Sequence, residues 1–307
     1  MIIRPVVAAD SASVRALCAA ALWLEPDAAE VPAILQQAPV ALAAELAGAV
    51  VAVGYGSVRD VPTAAATTTG IAGAPATSAG KIGHVDLIAV APAHQGNGVG
   101  KALLAALEDA LAALGATEIR LGGNSPVYVW PGVDARYTAL TCLAGRVGYS
   151  RQAEAVNLIV DLDAINLDTR AAERTLAAGG ILVRRAAPGE AQAVYEWLVH
   201  SPFGGSSWPA EARAAITSES ASCHVAVTNE GYLGFACQGV NRNDWFQRTG
   251  IGTVLLIRCL ADIRAAGHRT AQIGWAGPIR YYGRAVGARI DRVFWIYRKV
   301  RANGPSA

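Results

Sequence analysis

The stretch from Ile82 to Gly115 constrains this chain more than any other. His84 to Val90 is a short apolar run carrying one carboxylate and bounded by Pro92, the pattern of a buried strand. A glycine-rich segment follows, Gln95-Gly96-Asn97-Gly98-Val99-Gly100. Beyond it Leu103, Leu104, Leu107, Leu111 and Leu114 recur on one helical face until Gly115 stops the helix. A strand, a glycine loop and a helix in that order aim the first-turn N–H groups out of the loop, with the positive end of the helix dipole behind them. Glycines let an anion approach that backbone, so the unit is suited to holding a phosphate.

The spacing narrows which phosphate. A dinucleotide fingerprint needs G-x-G-x-x-G, whereas the glycines here fall at 96, 98 and 100. A Walker loop fails too, because Lys101 follows Gly100 without the four-residue gap or the following Ser/Thr. Q-x-x-G-x-G does fit, as Gln95, Gly98 and Gly100, with Val90-Ala91-Pro92 before it and the leucine-rich helix after it. This resembles the coenzyme-A pyrophosphate loop of the GNAT acyltransferase superfamily. The resemblance implies an α/β (α+β) fold with a mixed central sheet flanked by helices. It also implies direct transfer of an acetyl group from acetyl-CoA to an amine within a ternary complex. On that resemblance, the backbone of Ile88, Ala89 and Val90 would meet the pantetheine and thioester. The amides of Gln95, Gly96, Asn97, Gly98, Val99, Gly100 and Lys101 would meet the pyrophosphate, with Gly98 and Gly100 kept small by phosphate oxygens. Asn124, just past the next strand, matches the position of an Asn near the pantetheine.

With 307 residues the chain has room for two domains, and the plan does repeat. Ile2-Ile3-Arg4 is echoed by Leu182-Val183-Arg184, each followed by a helical segment; in the first copy Asp10 is a candidate cap. Hairpin patterns surround Ala47-Gly48 and Asn229-Glu230-Gly231, and Gln247, Gly250 and Gly252 repeat the loop. The pattern predicts an N-terminal domain over 1–162, a linker over 163–180 and a C-terminal domain over 181–307. Residues 61–80 are almost wholly Ala, Thr, Gly, Ser and Pro and read as a mobile loop. The two copies differ in length. From the opening arginine to the loop glutamine is 95 − 4 = 91 residues in the first and 247 − 184 = 63 in the second. Asn243-Asp244-Trp245-Phe246 runs straight into Gln247, where two-domain relatives carry a strand presenting backbone to the acyl arm. The second copy is therefore expected to be degenerate for coenzyme, unless Tyr232 to Val240 supplies that strand.

An amine is protonated at neutral pH, so transfer needs a proton acceptor. His84 and Asp86 fall two apart on the central strand, on one face, at positions where related acetyltransferases hold a glutamate or histidines. The plainer alternative is a satisfied core histidine beside a carboxylate that accepts backbone hydrogen bonds. In relatives a tyrosine protonates the departing thiolate; Ala144 occupies that position, leaving Tyr128 or Tyr137 as substitutes. Tyr128, Trp130, Pro131, Gly132, Asp134 and Arg136 form an insertion resembling that of bacterial glucosamine and glucosaminide acetyltransferases. Its aromatics suit stacking on a sugar, or equally packing a domain interface. Trp23, Glu25, Trp130, Asp134 and Tyr137 are the candidate acceptor-binding residues.

The remaining composition excludes more than it proposes. No apolar run reaches membrane-spanning length, and Ala16 to Leu24 lacks the basic flank of a signal peptide. Five scattered cysteines without C-x-x-C spacing indicate buried thiols, and no metal site. A net charge of +2 makes no electrostatic case for nucleic acid. The expectation is a cytoplasmic acetyl-CoA-dependent N-acetyltransferase for a primary amine, an amino sugar favoured, acting as a monomer with pseudo-twofold domains or a homodimer. Its rivals are acetylation of another small amine (an aminoglycoside, a mycothiol precursor, an antibiotic intermediate) and a non-catalytic acyl-CoA-binding scaffold.

Overall fold

The computed structural model describes residues 1–61, 80–123, 129–204, 208–239 and 251–301. Residues 1–61, 80–154 and 294–301 gather into one compact unit and 155–293 into another. The first unit holds β1 (Ile2–Pro5), α1 (Ser11–Ala21), α2 (Val31–Ile34), β2 (Val40–Leu46), β3 (Ala49–Val61) and β4 (Gly80–Val90). It continues through α3 (Val99–Ala113), β5 (Ala116–Leu121), β6 (Val133–Asp134), α4 (Thr138–Arg146) and the start of β7 (Ser150–Asp161). The second holds α5 (Arg170–Ala178), β8 (Leu182–Arg185), α6 (Ala191–Val199), α7 (Trp208–Thr217), β9 (Ser222–Thr228) and β10 (Gly231–Gln238). After these come α8 (Ile251–Ala265), β11 (Thr270–Ile273), α9 (Ile279–Val286) and the start of β12 (Arg289–Val300).

In the first unit β1 to β4 pair antiparallel with their neighbours, β5 joins β4 in parallel, and Tyr297–Val300 of β12 pairs antiparallel with β5. The turn between β2 and β3 puts Ala47 at φ 50° and Gly48 at φ 81°, the left-handed pair a two-residue hairpin requires. One sheet face is covered by α3, whose Leu103, Leu104, Leu107 and Leu111 are all but sealed from water against Val85, Ala52 and Ile119. The other face packs Leu87, Ala89, Val53 and Tyr55 against Val14, Leu17 and Cys18 of α1. In the second unit β9 sits between β8 and β10, and β11 pairs with Leu158–Ile159-Val160-Asp161 of β7.

Three expectations need revision. β4 starts at Gly80, four residues before His84, because Asp60 and Lys81 prolong its pairing with β3. Asp10 does not cap α1. Its carboxylate instead takes the Arg4 guanidinium at 2.7 Å and the Val7 amide at 2.9 Å. Glu190 does the same for Arg184 at 2.6 Å and the Ala187 amide at 2.8 Å, 184 − 4 = 180 residues later. The repeat is thus written into a part-buried ion pair as well as into the loop motif. Finally, neither unit is a single run of chain: β7 passes from the first unit into the second, and β12 passes back.

Leu107 fills the space beside Gly54, where a Cβ would come within 2.5 Å of its Cδ1. No short side chain can replace it without leaving a void. Leu107→Ala is expected to cost about 3–5 kcal/mol of stability, measured by urea unfolding followed in the far ultraviolet.

Candidate acyl-transfer site

β3 stays paired with β4 as far as Val90, but β5 follows β4 only as far as Val85. One further bond, from the Gly122 amide to the Val85 carbonyl at 2.8 Å, closes the parallel stretch. Past it the two strands part, and among the described residues no strand lies beside the β5-facing edge of Asp86 to Val90. Asp86 stands at the vertex. The register jumps there, from Tyr55 opposite Leu87 to Gly56 opposite Val85, leaving Asp86 as the extra residue of a β-bulge. Bulges re-aim side chains and bend strands.

The bulge holds Asp86 buried. Its Oδ2 accepts a 2.6 Å hydrogen bond from Ser57 Oγ, and its buried Oδ1 has no partner among the described residues. Burial is the larger influence and raises the carboxyl to about 7, while the Ser57 bond acts in the opposite sense. His84 is fully buried one position short of the parting. Its Nδ1 lies 2.8 Å from the Gly122 carbonyl, an acceptor, so that nitrogen carries the proton. Nε2 is left as a buried lone pair without a partner among the described residues. Burial, reinforced by Arg59 and Arg120, lowers the imidazole to about 3. A ring that reluctant to charge is a poor base at neutral pH, so of the two candidates Asp86 is the one poised to take a proton.

The loop lies at the open end of the same strand. Gln95 Nε2 donates to the Val90 carbonyl at 3.0 Å and fastens the loop to β4. Gly96 at φ 78° and Gly98 at φ 82° adopt left-handed backbone, and no atom lies within 4 Å of where their Cβ atoms would be. Gly98 is the residue before α3 and offers no side-chain cap. Among the described residues, the amides of Gly96, Asn97, Gly98, Val99, Gly100 and Lys101 donate to no carbonyl outside the helix; the first such bond is Ala102 to the Gly98 carbonyl. These donors, the dipole behind them and the clear space at Gly96 and Gly98 fit a diphosphate. Gly100 needs a different account from the expected one: its Cβ would meet Val90 and Leu143 at ordinary contact distances, so protein packing, not phosphate, lies beside it.

The expected acceptor residues come from two loops that touch. Trp23 is largely exposed and meets Tyr137 edge to face at 5.8 Å, while the Leu24 amide donates to Tyr137 Oη. Trp130 Nε1 donates to Glu25 Oε1 at 2.9 Å. Asp134 is buried, paired with Arg136 at 2.8 Å, and its strand β6 pairs with Phe294 and Trp295. Ala144 is sealed in the α3 core. Tyr128, Asn124, Gln247 and Gly250 lie outside the described residues. In the second unit Gly252 is buried within α8, and Tyr282 is core, edge to face with Tyr281. Sequence reasoning overlooked Ser57 and Arg59; the signal was polar residues at alternate positions ending an otherwise apolar strand.

Among the described residues no cluster of metal-ligating side chains occurs, and no helix is long and apolar enough to cross a membrane. Residues 14–127 match the acetyltransferase (GNAT) family. No curated protein sequence matches the chain. Among solved structures it is similar to the glucosamine N-acetyltransferase region of a fungal multi-domain GH3 β-N-acetylglucosaminidase. That likeness has a TM-score of 0.72 at 18% identity and covers 97% of this chain but only 38% of the fungal protein. A GCN5-related N-acetyltransferase from Sphaerobacter thermophilus aligns at 0.65 and 19% identity, covering 97% of this chain and 95% of the other. A tandem GNAT protein from the clavulanic acid biosynthesis pathway aligns at 0.64 and 16%, covering 100% and 99%. These likenesses are of fold, and they extend through both copies. Residues 14–127, which contain the parted strands and the glycine loop, match the GNAT acetyltransferase family, and the whole chain shares the mixed α/β fold of the tandem GNAT structure it resembles.

Proposed function

We propose that the chain is an acetyl-CoA-dependent N-acetyltransferase for a primary amine, an amino sugar by preference, with its working site in the first unit. The observation that carries this is the single line formed by an uncapped loop, an unpaired strand edge and a carboxyl near pH 7 at its end. Gly96 to Lys101 would hold the diphosphate of coenzyme A through main-chain amides, and the backbone of Ile88 and Val90 would hold the pantetheine. When bound, acetyl-CoA supplies an activated acetyl group whose C–S bond is exchanged for a C–N bond.

The chain's own residues then have three tasks. Asp86 Oδ1, the carboxyl oxygen without a partner among the described residues, accepts the proton that the acceptor's ammonium loses before the free amine attacks. Ser57 holds the other oxygen and so fixes the carboxylate's orientation. The paired loops carrying Trp23, Glu25, Trp130 and Tyr137 offer ring faces and edges of the kind that pack against a sugar. Ala144 supplies no proton donor at the position where relatives hold a tyrosine, so in this reading solvent provides the thiol's proton. The second copy, with its short approach to Gln247, serves as a structural partner and not as a second site. The reading places the protein in the cytoplasm, where acetyl-CoA is available.

Release of free thiol from acetyl-CoA across a panel of amines tests the reading. Amine-dependent release supports it; tight coenzyme binding with no such release favours the scaffold. Asp86→Asn is expected to lower kcat about 100-fold or more with little change in coenzyme affinity. In the unmodified enzyme kcat/KM should climb through about pH 7 as Asp86 ionises, and that limb should vanish in the variant.

The same substitution carries an opposite prediction for stability. A carboxyl raised in the folded state keeps its proton between its unfolded value near 4 and about 7, so folding loses stability across that interval as pH rises. Asp86→Asn removes this loss. The variant should match the parent near pH 4 and exceed it by about 3–4 kcal/mol at pH 8, read from urea midpoints at both pH values. A variant less stable at pH 8 would show that the Asp86 charge is compensated in the fold.

A further inference from the structure

β3 is apolar from Val50 to Gly56 except for Tyr55, then turns polar at every second residue, with Ser57 and Arg59. The register sets Ser57 opposite His84 and His84 opposite Arg120; one row on, Arg59 lies opposite Ile82 and Ile82 opposite Glu118. Residues paired across strands share a face. Here it is the face turned away from α3, since the intervening Gly83 and Val85 are the residues set against that helix. Along this face the groups run in order: the Asp86 carboxyl, then His84 with Ser57, then the Arg59 guanidinium.

Most charge on this face is matched internally. Glu118 takes Arg120 at 2.7 Å and Arg298 at 2.8 Å, with all three side chains nearly buried. Arg59 differs, because it makes no hydrogen bond or ion pair among the described residues. It is half-buried, and the positive Arg120 acts on it more strongly than Glu118 does. A guanidinium cannot shed its charge, and it offers a planar fork of N–H donors matched to carboxylate and phosphate. A second, independent feature lies beside it. The buried His84 Nε2 is a lone pair with no donor among the described residues, within electrostatic reach of Arg59. Asp86 Oδ1 is a buried acceptor in the same condition.

Three unmet groups in a line describe a ligand by its complement: an amine at Asp86, a hydroxyl that donates to His84 Nε2, and an anion on Arg59. We infer that the acceptor is an acidic amino sugar, its phosphate or carboxylate seated on Arg59. This rests on the acetyl-transfer role proposed for Asp86. The spacing selects among acidic amines. Asp86 and the row of Arg59, opposite Ile82, are four residues of β4 apart, ~13 Å along the strand before the reach of the long Arg59 side chain shortens it, which an α-amino acid, with both groups on one carbon, cannot bridge. A hexosamine with its amine at C2 and its anion at C6 has the required reach.

The test compares three acceptors that share one amine: glucosamine, glucosamine 6-phosphate and glucosaminuronic acid, which carries a carboxylate at C6. In the unmodified protein at least one acidic acceptor should exceed glucosamine in kcat/KM by 10-fold or more, and the stronger of the two identifies the anion. Arg59→Gln should bring that ratio close to one, and Arg59→Lys should restore part of it. The free Arg59→Gln protein should melt at the same temperature or higher, because an unmatched, half-buried charge has gone; a lower Tm would mean Arg59 serves the fold. A preference of less than twofold in the unmodified protein, or one that survives Arg59→Gln, overturns the inference while leaving acetyl transfer intact. If no amine releases thiol, the Asp86 reading falls, and binding decides Arg59 separately. Glucosamine 6-phosphate should then still raise the Tm of the parent and not of Arg59→Gln, and equal shifts, or none, overturn the anion site.

Discussion

Everything at the candidate site depends on the parting of β4 from β5. A parallel pair normally satisfies the backbone of both strands along their whole shared length. Here the ladder stops at Val85, and the bulge at Asp86 bends one partner away while β3 keeps the other edge of the same strand fully bonded. The strand is therefore rigid on one side and exposed on the other. That combination lets main-chain groups face outward without the segment becoming a loop, and it sets the Asp86 carboxyl at the start of that edge.

The bulge also explains why Asp86 and His84, two residues apart on one strand, differ so much chemically. Both are buried. Burial disfavours whichever form is charged, so it pushes the carboxyl up and the imidazole down. The carboxyl rises into the range where it exchanges protons at neutral pH, and the imidazole falls out of it. Burial of both thus leaves a carboxyl that titrates near neutrality beside an imidazole that stays neutral. The pattern alone, with both residues on one face, could not separate them, because the outcome depends on the Gly122 carbonyl and on Arg59 and Arg120, which come from other strands.

Local features were legible where a local rule decides them. Q-x-x-G-x-G, the leucine spacing of α3 and the Ala47-Gly48 turn each state their own conformation. The repeat of the opening strand and its arginine was legible as well. What escaped was non-local. Asp10 has the composition of a helix cap, but the Arg4 guanidinium competes for its oxygens and wins with a charged bond. Arg59 and Ser57 looked like the polar end of a strand, and only register sets them beside His84 and Asp86. Gly100 belongs to the loop motif, yet the atoms nearest its missing side chain are those of Val90 and Leu143.

The strand exchange has a consequence for how the chain comes to be assembled. Tyr297 to Val300, the partner of Leu121 to Glu118, is synthesised about 180 residues after the strand it completes. Until it arrives β5 has a bare outer edge, and such edges invite pairing with foreign chains. A contact so remote in sequence also closes slowly. The sheet that carries the amide-lined loop therefore cannot be completed on the ribosome until Tyr297 to Val300 has been made.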